Sequence, residues 1–399
     1  MLGAARTPPR MITLILLASV GILTLNMFLP SLNHMAADFG VDYGLVNLSI
    51  AGYLAITAVL QVIMGPLSDR YGRRPILLMC MGLFTAASVG CFLAENFWVF
   101  LTFRMLQGAV ISATALSRAA VRDMFSAQDA AGVLGTITMV MAVAPMLGPG
   151  FGGLLDQVFG WRASFAVFVL MGIGMTVLVW VDMGETNQNP SETFLKQFRT
   201  YPELLGSRRF WGYALCLAFS VGAFYSFLGG AALVSGAEFD LTTAELGLGM
   251  GSITGGFAFG NFLMSRLAKR AALSTLMIWG RVTACAGLAG GLIFLMFDVV
   301  GVYTYFGAVI FVGIGNGLTL PACTVGAMSV RPKLAGSAAG LSGALMVGGG
   351  AVMTSITGNL LTPQNGAWLL LAIMLASSFL GLLAAFFVRR IDLREGPTY

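Results

Sequence analysis

Gly65-Pro66-Leu67-Ser68-Asp69-Arg70-Tyr71-Gly72-Arg73-Arg74-Pro75 separates two long apolar runs. Gly65 and Gly72 permit tight turning of the backbone. Pro66 and Pro75 punctuate the end of one helix and the start of the next. Asp69 sits among Arg70, Arg73 and Arg74, where a carboxylate either pairs with the arginines or rests at the positive end of a helix. A short charged loop between apolar runs is the turn of a helical hairpin at a water interface.

The rest of the chain extends that hairpin. Hydrophobic residues make up 57% of the sequence and charged residues 10%, whereas a soluble domain carries about 25% charged residues. So few charges cannot cover a water-facing surface, so the solvent is lipid. In lipid every backbone N–H and C=O needs an internal partner, which leaves helices or a closed barrel. A barrel would show short alternating segments. The apolar runs here are long enough for helices, which need about 20 residues to cross. Spans are expected at 11–33, 46–66, 75–94, 97–119, 131–155, 161–183, 210–232, 246–264, 274–297, 302–327, 337–360 and 366–388. The first lacks a small-residue cleavage site and reads as a retained helix, not a signal peptide.

Net charge is +5, and its placement matters more than its size. With the N-terminus inside, every Lys and Arg except Arg104, Arg162 and Arg281 falls on the cytoplasmic side. That asymmetry predicts cytoplasmic termini under the positive-inside rule. It says nothing about nucleic acid, and none is expected as a partner. The five cysteines all fall within spans, without metal-ligand spacing, and no disulfide is expected.

The spans divide into two sets of six. Residues 184–209 are polar and separate an N-terminal half, 1–183, from a C-terminal half, 210–399. A short surface helix is expected near Phe194–Leu205. The halves echo each other. Leu67, Arg70 and the pair Arg73-Arg74 after span 2 match Leu263, Arg266 and the pair Lys269-Arg270 after span 8. Gly152-Gly153-Leu154-Leu155 ending span 5 matches Gly358-Asn359-Leu360-Leu361 ending span 11. Duplicated halves predict a substrate site at their interface near the midplane.

Arg104 lies about seven residues inside span 4, roughly 10 Å deep at the rise of a helix. An arginine at that depth normally faces a protein interior or a wet cavity. Arg281, near the cytoplasmic start of span 9, reads as snorkelling to the interface. Gly148, Gly150, Gly152 and Gly153 let another helix approach span 5, while Pro145 and Pro149 remove backbone donors and favour a bend. Pro145, Gly148, Pro149 and Gly152 are therefore candidate hinge positions, with tight packing alone as the alternative. His34, the only histidine, reads as a wetted residue near the outer end of span 1. Tyr53, Met139, Met141, Phe224, Tyr225 and Phe227 are candidate cavity residues, since flexible Met and flat aromatic surfaces suit varied apolar ligands. Gln107 and Asn316 complete that set.

Here a resemblance becomes specific. Gly65 to Pro75 looks like the signature loop of the major facilitator superfamily. Leu101-Thr102-Phe103-Arg104-Met105-Leu106-Gln107-Gly108 and Ala144-Pro145-Met146-Leu147-Gly148-Pro149-Gly150-Phe151-Gly152-Gly153 resemble the span-4 and span-5 motifs of its drug:proton antiporters. Asn26-Met27-Phe28-Leu29-Pro30-Ser31-Leu32 and Ser117-Arg118-Ala119-Ala120-Val121-Arg122-Asp123 point to the Bcr/CflA multidrug efflux subfamily. The resemblance covers nearly the whole chain. It implies an all-α membrane fold of about twelve helices in two pseudo-symmetric halves, in a bacterial inner membrane. It implies export with proton exchange, in which Arg104 takes part. It makes Gly65, Asp69, Arg70, Gly72, Arg73, Arg118, Arg122 and Asp123 a conformational switch.

One departure matters. The subfamily carries an aspartate just before the Met-Phe-Leu-Pro stretch, and this chain has Asn26. No carboxylate falls deep within a span, and an amide has no proton to titrate near neutral pH. Asn26, Tyr53 and Arg104 have similar predicted depth, so the candidate acceptors for Arg104 are the Asn26 amide oxygen, the Tyr53 hydroxyl, water and the substrate. The expected function is secondary active export of amphipathic small molecules by a monomer in the bilayer, without cofactor or metal. Export or facilitated passage of an anionic or zwitterionic metabolite held by Arg104 is the first alternative, and a non-transporting receptor the second. There is no Walker loop for ATP-driven pumping and no His/Cys set for zinc chemistry.

Overall fold

A computed structural model describes residues 8–124, 137, 144–187, 201–268, 270–297, 301–331 and 334–396. Among the described residues the regular structure is entirely helical. The first bundle comprises α1 (Met11–Asn26), α2 (Leu32–Phe39), α3 (Tyr43–Tyr71), α4 (Arg73–Leu93), α5 (Phe97–Gln107), α6 (Ile111–Met124), α7 (Ala144–Phe159) and α8 (Arg162–Asp182). After the short α9 (Tyr201–Leu205) come α10 (Arg208–Glu238), α11 (Thr243–Leu267), α12 (Leu273–Met296), α13 (Val302–Ser329), α14 (Ala335–Leu360) and α15 (Gly366–Glu395). Among the described residues, ten helical stretches are long and apolar enough to cross a membrane. The two other expected spans correspond to α7, whose preceding residues lie outside those described, and to α11, whose glycines dilute its hydropathy.

Several boundaries differ from the sequence reading, each for a local reason. The first span breaks into α1 and α2 around a 3-10 turn at Leu29–Ser31, where Pro30 supplies no backbone donor. The fourth breaks at a second 3-10 turn, Gly108–Val110. The second does not end at Pro66: α3 continues through Gly65 and Pro66 to Tyr71. The turn into α4 is the single residue Gly72, at φ +94°, a region that favours glycine. Pro75 then falls in the first turn of α4, where its missing N–H costs no helical bond. Most of the expected linker helix lies outside the described residues, and only Tyr201–Leu205 is seen.

Within the first bundle α4 packs on α8 and α5, and α1 on α6. Within the second, α12 and α11 pack on α13, and α10 on α14 and α15. Two helix pairs carry most of the contact between bundles, α3 with α14 and α7 with α11. These four helices are the ones that hold the internal echoes, and each meets the other bundle's non-equivalent partner. Close backbone approach makes the second pair possible. A Cβ at Gly247 would lie 2.4 Å from the Pro149 carbonyl oxygen. One at Gly153 would overlap the carbonyl oxygen of Thr243.

The two ends of the molecule differ. The end bearing the termini gathers arginines: Arg10 bonds Asp182 through its backbone N–H at 2.9 Å, and the Arg209 guanidinium reaches Glu395 at 3.4 Å. The opposite end is fastened across the bundles by polar side chains. Asn33 donates to Ala232 O at 2.7 Å, Tyr43 to Gly229 O at 2.8 Å, Asn47 to Thr354 O at 3.0 Å and Thr243 to Gly153 O at 2.9 Å. The molecule is therefore closed at the end away from its termini.

Candidate functional site

Midway along the helices, below those fastenings, the bundles enclose a cavity of about 250 Å³. Asn26, Tyr53, Thr57 and Pro145 contribute from the first bundle, and Phe224, Tyr225, Thr254, Phe257, Asn316 and Met346 from the second. No charged side chain lines it among the described residues. A mostly apolar wall with a few placed polar groups is how proteins hold small amphipathic ligands.

Of the sequence-predicted cavity set, Asn26, Tyr53, Phe224, Tyr225 and Asn316 stand at this wall. Met139 and Met141 lie outside the described residues. Arg104, Gln107 and Phe227 are corrected: they are fully buried behind the wall. Phe227 packs against Tyr305 and Phe306 at centroid distances of 6.4 and 6.3 Å.

Arg104 turns into the first bundle because its donors find acceptors there. It donates to Thr24 O at 3.1 Å, Ser49 O at 3.4 Å and Gln107 Oε1 at 2.7 Å. Gln107 in turn donates to the Ser88 hydroxyl at 2.8 Å. The guanidinium is sandwiched between the Phe28 and Tyr53 rings, 4.2 and 4.4 Å from their centroids. Ring faces attract a cation most when water is excluded. The expected Asn26 contact is absent from this set. Asn26 instead donates its Nδ2 to Ile22 O of its own helix at 2.7 Å.

Arg281 is a second correction. It does not snorkel but is fully buried in the second bundle. It donates to Asn316 Oδ1 at 2.6 Å and to the Thr319 hydroxyl at 3.0 Å, while its Nη1 has no hydrogen-bond partner. Gly315 makes the room, since a Cβ there would stand 3.3 Å from Arg281 Nη2. Sequence reasoning missed this pairing because its partners lie 35 residues apart, on two successive helices.

The expected switch residues gather in part. Arg73 Nε meets Asp123 Oδ2 at 3.1 Å, tying the α3–α4 turn to the end of α6, and its Nη1 donates to Ser68. Glu185, which the sequence did not single out, accepts from the backbone N–H groups of Arg73 and Arg74 at 2.8 and 3.1 Å. A carboxylate at the first turn of α4 answers both its unpaired donors and its dipole. Arg70 stacks on Tyr71, 5.3 Å from its ring centroid, and Arg118 is exposed. The side chains of Asp69 and Arg122 and the surroundings of Gly65 lie outside the described residues. The expected hinge residues Pro145, Gly148, Pro149 and Gly152 stand in one unbroken helix, α7, packed on α1 and α11.

His34 is wetted, as its reading has it, and it has a partner that the reading did not include. Its Nδ1 lies 2.8 Å from Asp156 Oδ2; the imidazole is half exposed while the carboxylate is buried. Asp156 Oδ1 has no hydrogen-bond partner. The pair lines a second cavity between the bundles, at the fastened end.

A sequence profile of the Major Facilitator Superfamily matches residues 14–355. Multidrug resistance protein D of Escherichia coli (strain K12) is 31% identical over 362 residues, covering 89% of each chain. The chloramphenicol resistance protein of Pseudomonas aeruginosa is 30% identical over 382 residues, covering 92% of this chain and 87% of the relative. Among solved structures, a bacterial homolog to the human lysosomal transporter Spinster, inward-facing and unoccupied, superposes with a TM-score of 0.76 over 96% of this chain and 97% of that chain. At 16% identity, that likeness speaks to fold alone.

Proposed function

The chain belongs to the Major Facilitator Superfamily, in its Bcr/CflA-type efflux branch, and from that premise we propose that it exports amphipathic small molecules by alternating access. The halves 1–183 and 210–399 rock against each other about α3–α14 and α7–α11, joined by the linker 184–209. The observation that carries this reading is the uncharged cavity between the bundles, closed at the end away from the termini. The arginine-rich end is cytoplasmic by the positive-inside rule, so the state described has its outer side shut, in a bacterial inner membrane. Arg104 stands behind the wall, which removes the basis for an anionic metabolite held by that residue.

The exchange ion we assign is the proton, as the family resemblance implies. Asn26 has no proton to give. We place the proton instead on His34 and Asp156, the titratable side chains that line the second cavity among the described residues. Their charged neighbours are otherwise engaged: Asp38 with Arg162 and Trp161, Glu238 with Ala367 N and Glu245 with Thr242.

Purified protein in liposomes tests the reading. Chloramphenicol movement should be accompanied by opposite proton movement, read by an internal pH dye, and His34→Gln should uncouple the two. Drug flux without proton movement overturns the coupling, and binding without flux overturns export in favour of a receptor.

A further inference from the structure

Two asparagines face each other across the midplane cavity, one on each bundle. The partners behind them fix which end of each amide is turned inward. The Arg281 guanidinium carries donors and no acceptor. The atom of Asn316 that meets it at 2.6 Å must therefore be the oxygen. Asn316 lines the cavity, and its remaining polar atom, the Nδ2 amine, is left as a donor there. On the other wall the partner is Ile22 O, a carbonyl that only accepts. Asn26 must meet it with Nδ2, at 2.7 Å, which leaves Oδ1 as an acceptor. Tyr53 Oη is drawn away toward Gly21 O at 3.4 Å.

From this arrangement, and resting on the export reading above, we propose that the cavity selects uncharged amphiphiles carrying a carbonyl or nitro acceptor for Asn316 and a hydroxyl or amide donor for Asn26. Arg281 is the positioning residue that sets the first of these. It does more than hold an orientation. Its charge lies one hydrogen bond behind the amide, and a donor polarised by a cation in a low-dielectric interior is strengthened. A permanent cation gains nothing at such a wall. The wall offers no carboxylate among the described residues, and the guanidiniums of Arg104 and Arg281 lie just behind it. A carboxylate would also find the Asn316 donor but would lose its hydration to an apolar wall, a cost that a neutral acceptor does not carry, so neutral acceptors are preferred over anions.

Equilibrium binding to purified, lipid-reconstituted protein tests this with two probes. Chloramphenicol is neutral and bears carbonyl, nitro and hydroxyl groups. Tetraphenylphosphonium is an apolar cation with neither donor nor acceptor. Wild type should bind the first more tightly. Asn316→Asp keeps an oxygen for Arg281 and replaces the inward donor by an acceptor, so the fold has its contact while the recognition is reversed. It should weaken chloramphenicol about tenfold, the size of one good hydrogen bond lost, and leave the cation unweakened. Arg281→Met should do the same by freeing the amide to turn, and Arg281→Lys, which also only donates, should restore binding to within about threefold of wild type. A wild type that prefers the cation, or an Asn316→Asp variant that binds chloramphenicol unchanged, overturns the proposal. If wild type still moves chloramphenicol in liposomes in those cases, export stands and only the recognition by Asn316 fails. If wild type neither binds nor moves it, both fail.

Discussion

The two buried guanidiniums have the same chemistry and opposite relations to the cavity. Arg104 in the first bundle spends its donors on two backbone carbonyls and Gln107, with an aromatic ring on each side. Arg281 in the second keeps one nitrogen unpartnered and hands its charge to Asn316 at the cavity wall. Neither has a carboxylate among these contacts. Depth in the membrane therefore says that an arginine is used, while its acceptors say for what. Where the acceptors are main-chain oxygens of neighbouring helices, it fastens a bundle; where one is a wall side chain, it shapes a binding surface.

The largest expected effects separate residues at the wall from residues behind it. Phe227→Ala removes a ring packed on Tyr305 and Phe306 and should cost about 3–5 kcal/mol in stability, read as a lowered melting temperature in detergent. Tyr225→Ala, at the wall, should instead alter which compounds are exported. Equal melting and equal selectivity for the two variants would erase the distinction.

Arg104→Met comes next. It strands Thr24 O, Ser49 O and Gln107 in a dry interior, at about 1–3 kcal/mol for each group that finds no replacement. We expect lower thermal stability with the ranking of bound compounds unchanged, against an altered ranking for Arg281→Met. If Arg104→Met reorders the compounds while melting like wild type, the two arginines have been assigned the wrong way round.

Asn26→Asp sharpens the contrast from the wall itself. Because Asn26 does not touch Arg104 in the contacts described, the new carboxylate has no cation at hand and faces the cavity. Lipophilic cations should bind about tenfold more tightly, above the pH at which that carboxylate ionises, with the gain lost on acidification. Tetraphenylphosphonium titrations at several pH values would check this, and a pH-independent or absent gain would mean that Arg104 reaches residue 26 after all.

The smallest effect on binding belongs to the signature loop. Asp69→Asn should slow turnover severalfold while both probes bind as to wild type, since the loop lies far from either arginine. Flux per transporter at equal membrane abundance is the measurement. Altered affinity would tie the loop to the cavity and blur the division between mechanical and recognising regions.

Composition required a chain solvated by lipid, where backbone polar groups are satisfied only in helices or a closed barrel, and the length of the apolar runs chose helices. The order of apolar runs, the echoes between spans 2 and 8 and between spans 5 and 11, and the Gly65–Pro75 loop were enough for a duplicated transporter fold. Local sequence also placed Asn26 and Tyr53 at useful depth, since depth follows from counting residues along a helix, and it named Tyr225 and Asn316 as cavity candidates by residue type. It could not assign rotation about the helix axis. Arg104 and Tyr53 share a depth with Asn26, yet only two of the three reach the cavity. Arg281 looked like a snorkelling side chain until α13 supplied Asn316 and Thr319. His34 read only as wetted, and its partner Asp156 came from α7, 122 residues away. Which oxygen or nitrogen each asparagine shows to a ligand was decided last, by partners on the far side of the wall. A hydrogen bond has direction, and only packed neighbours fix it.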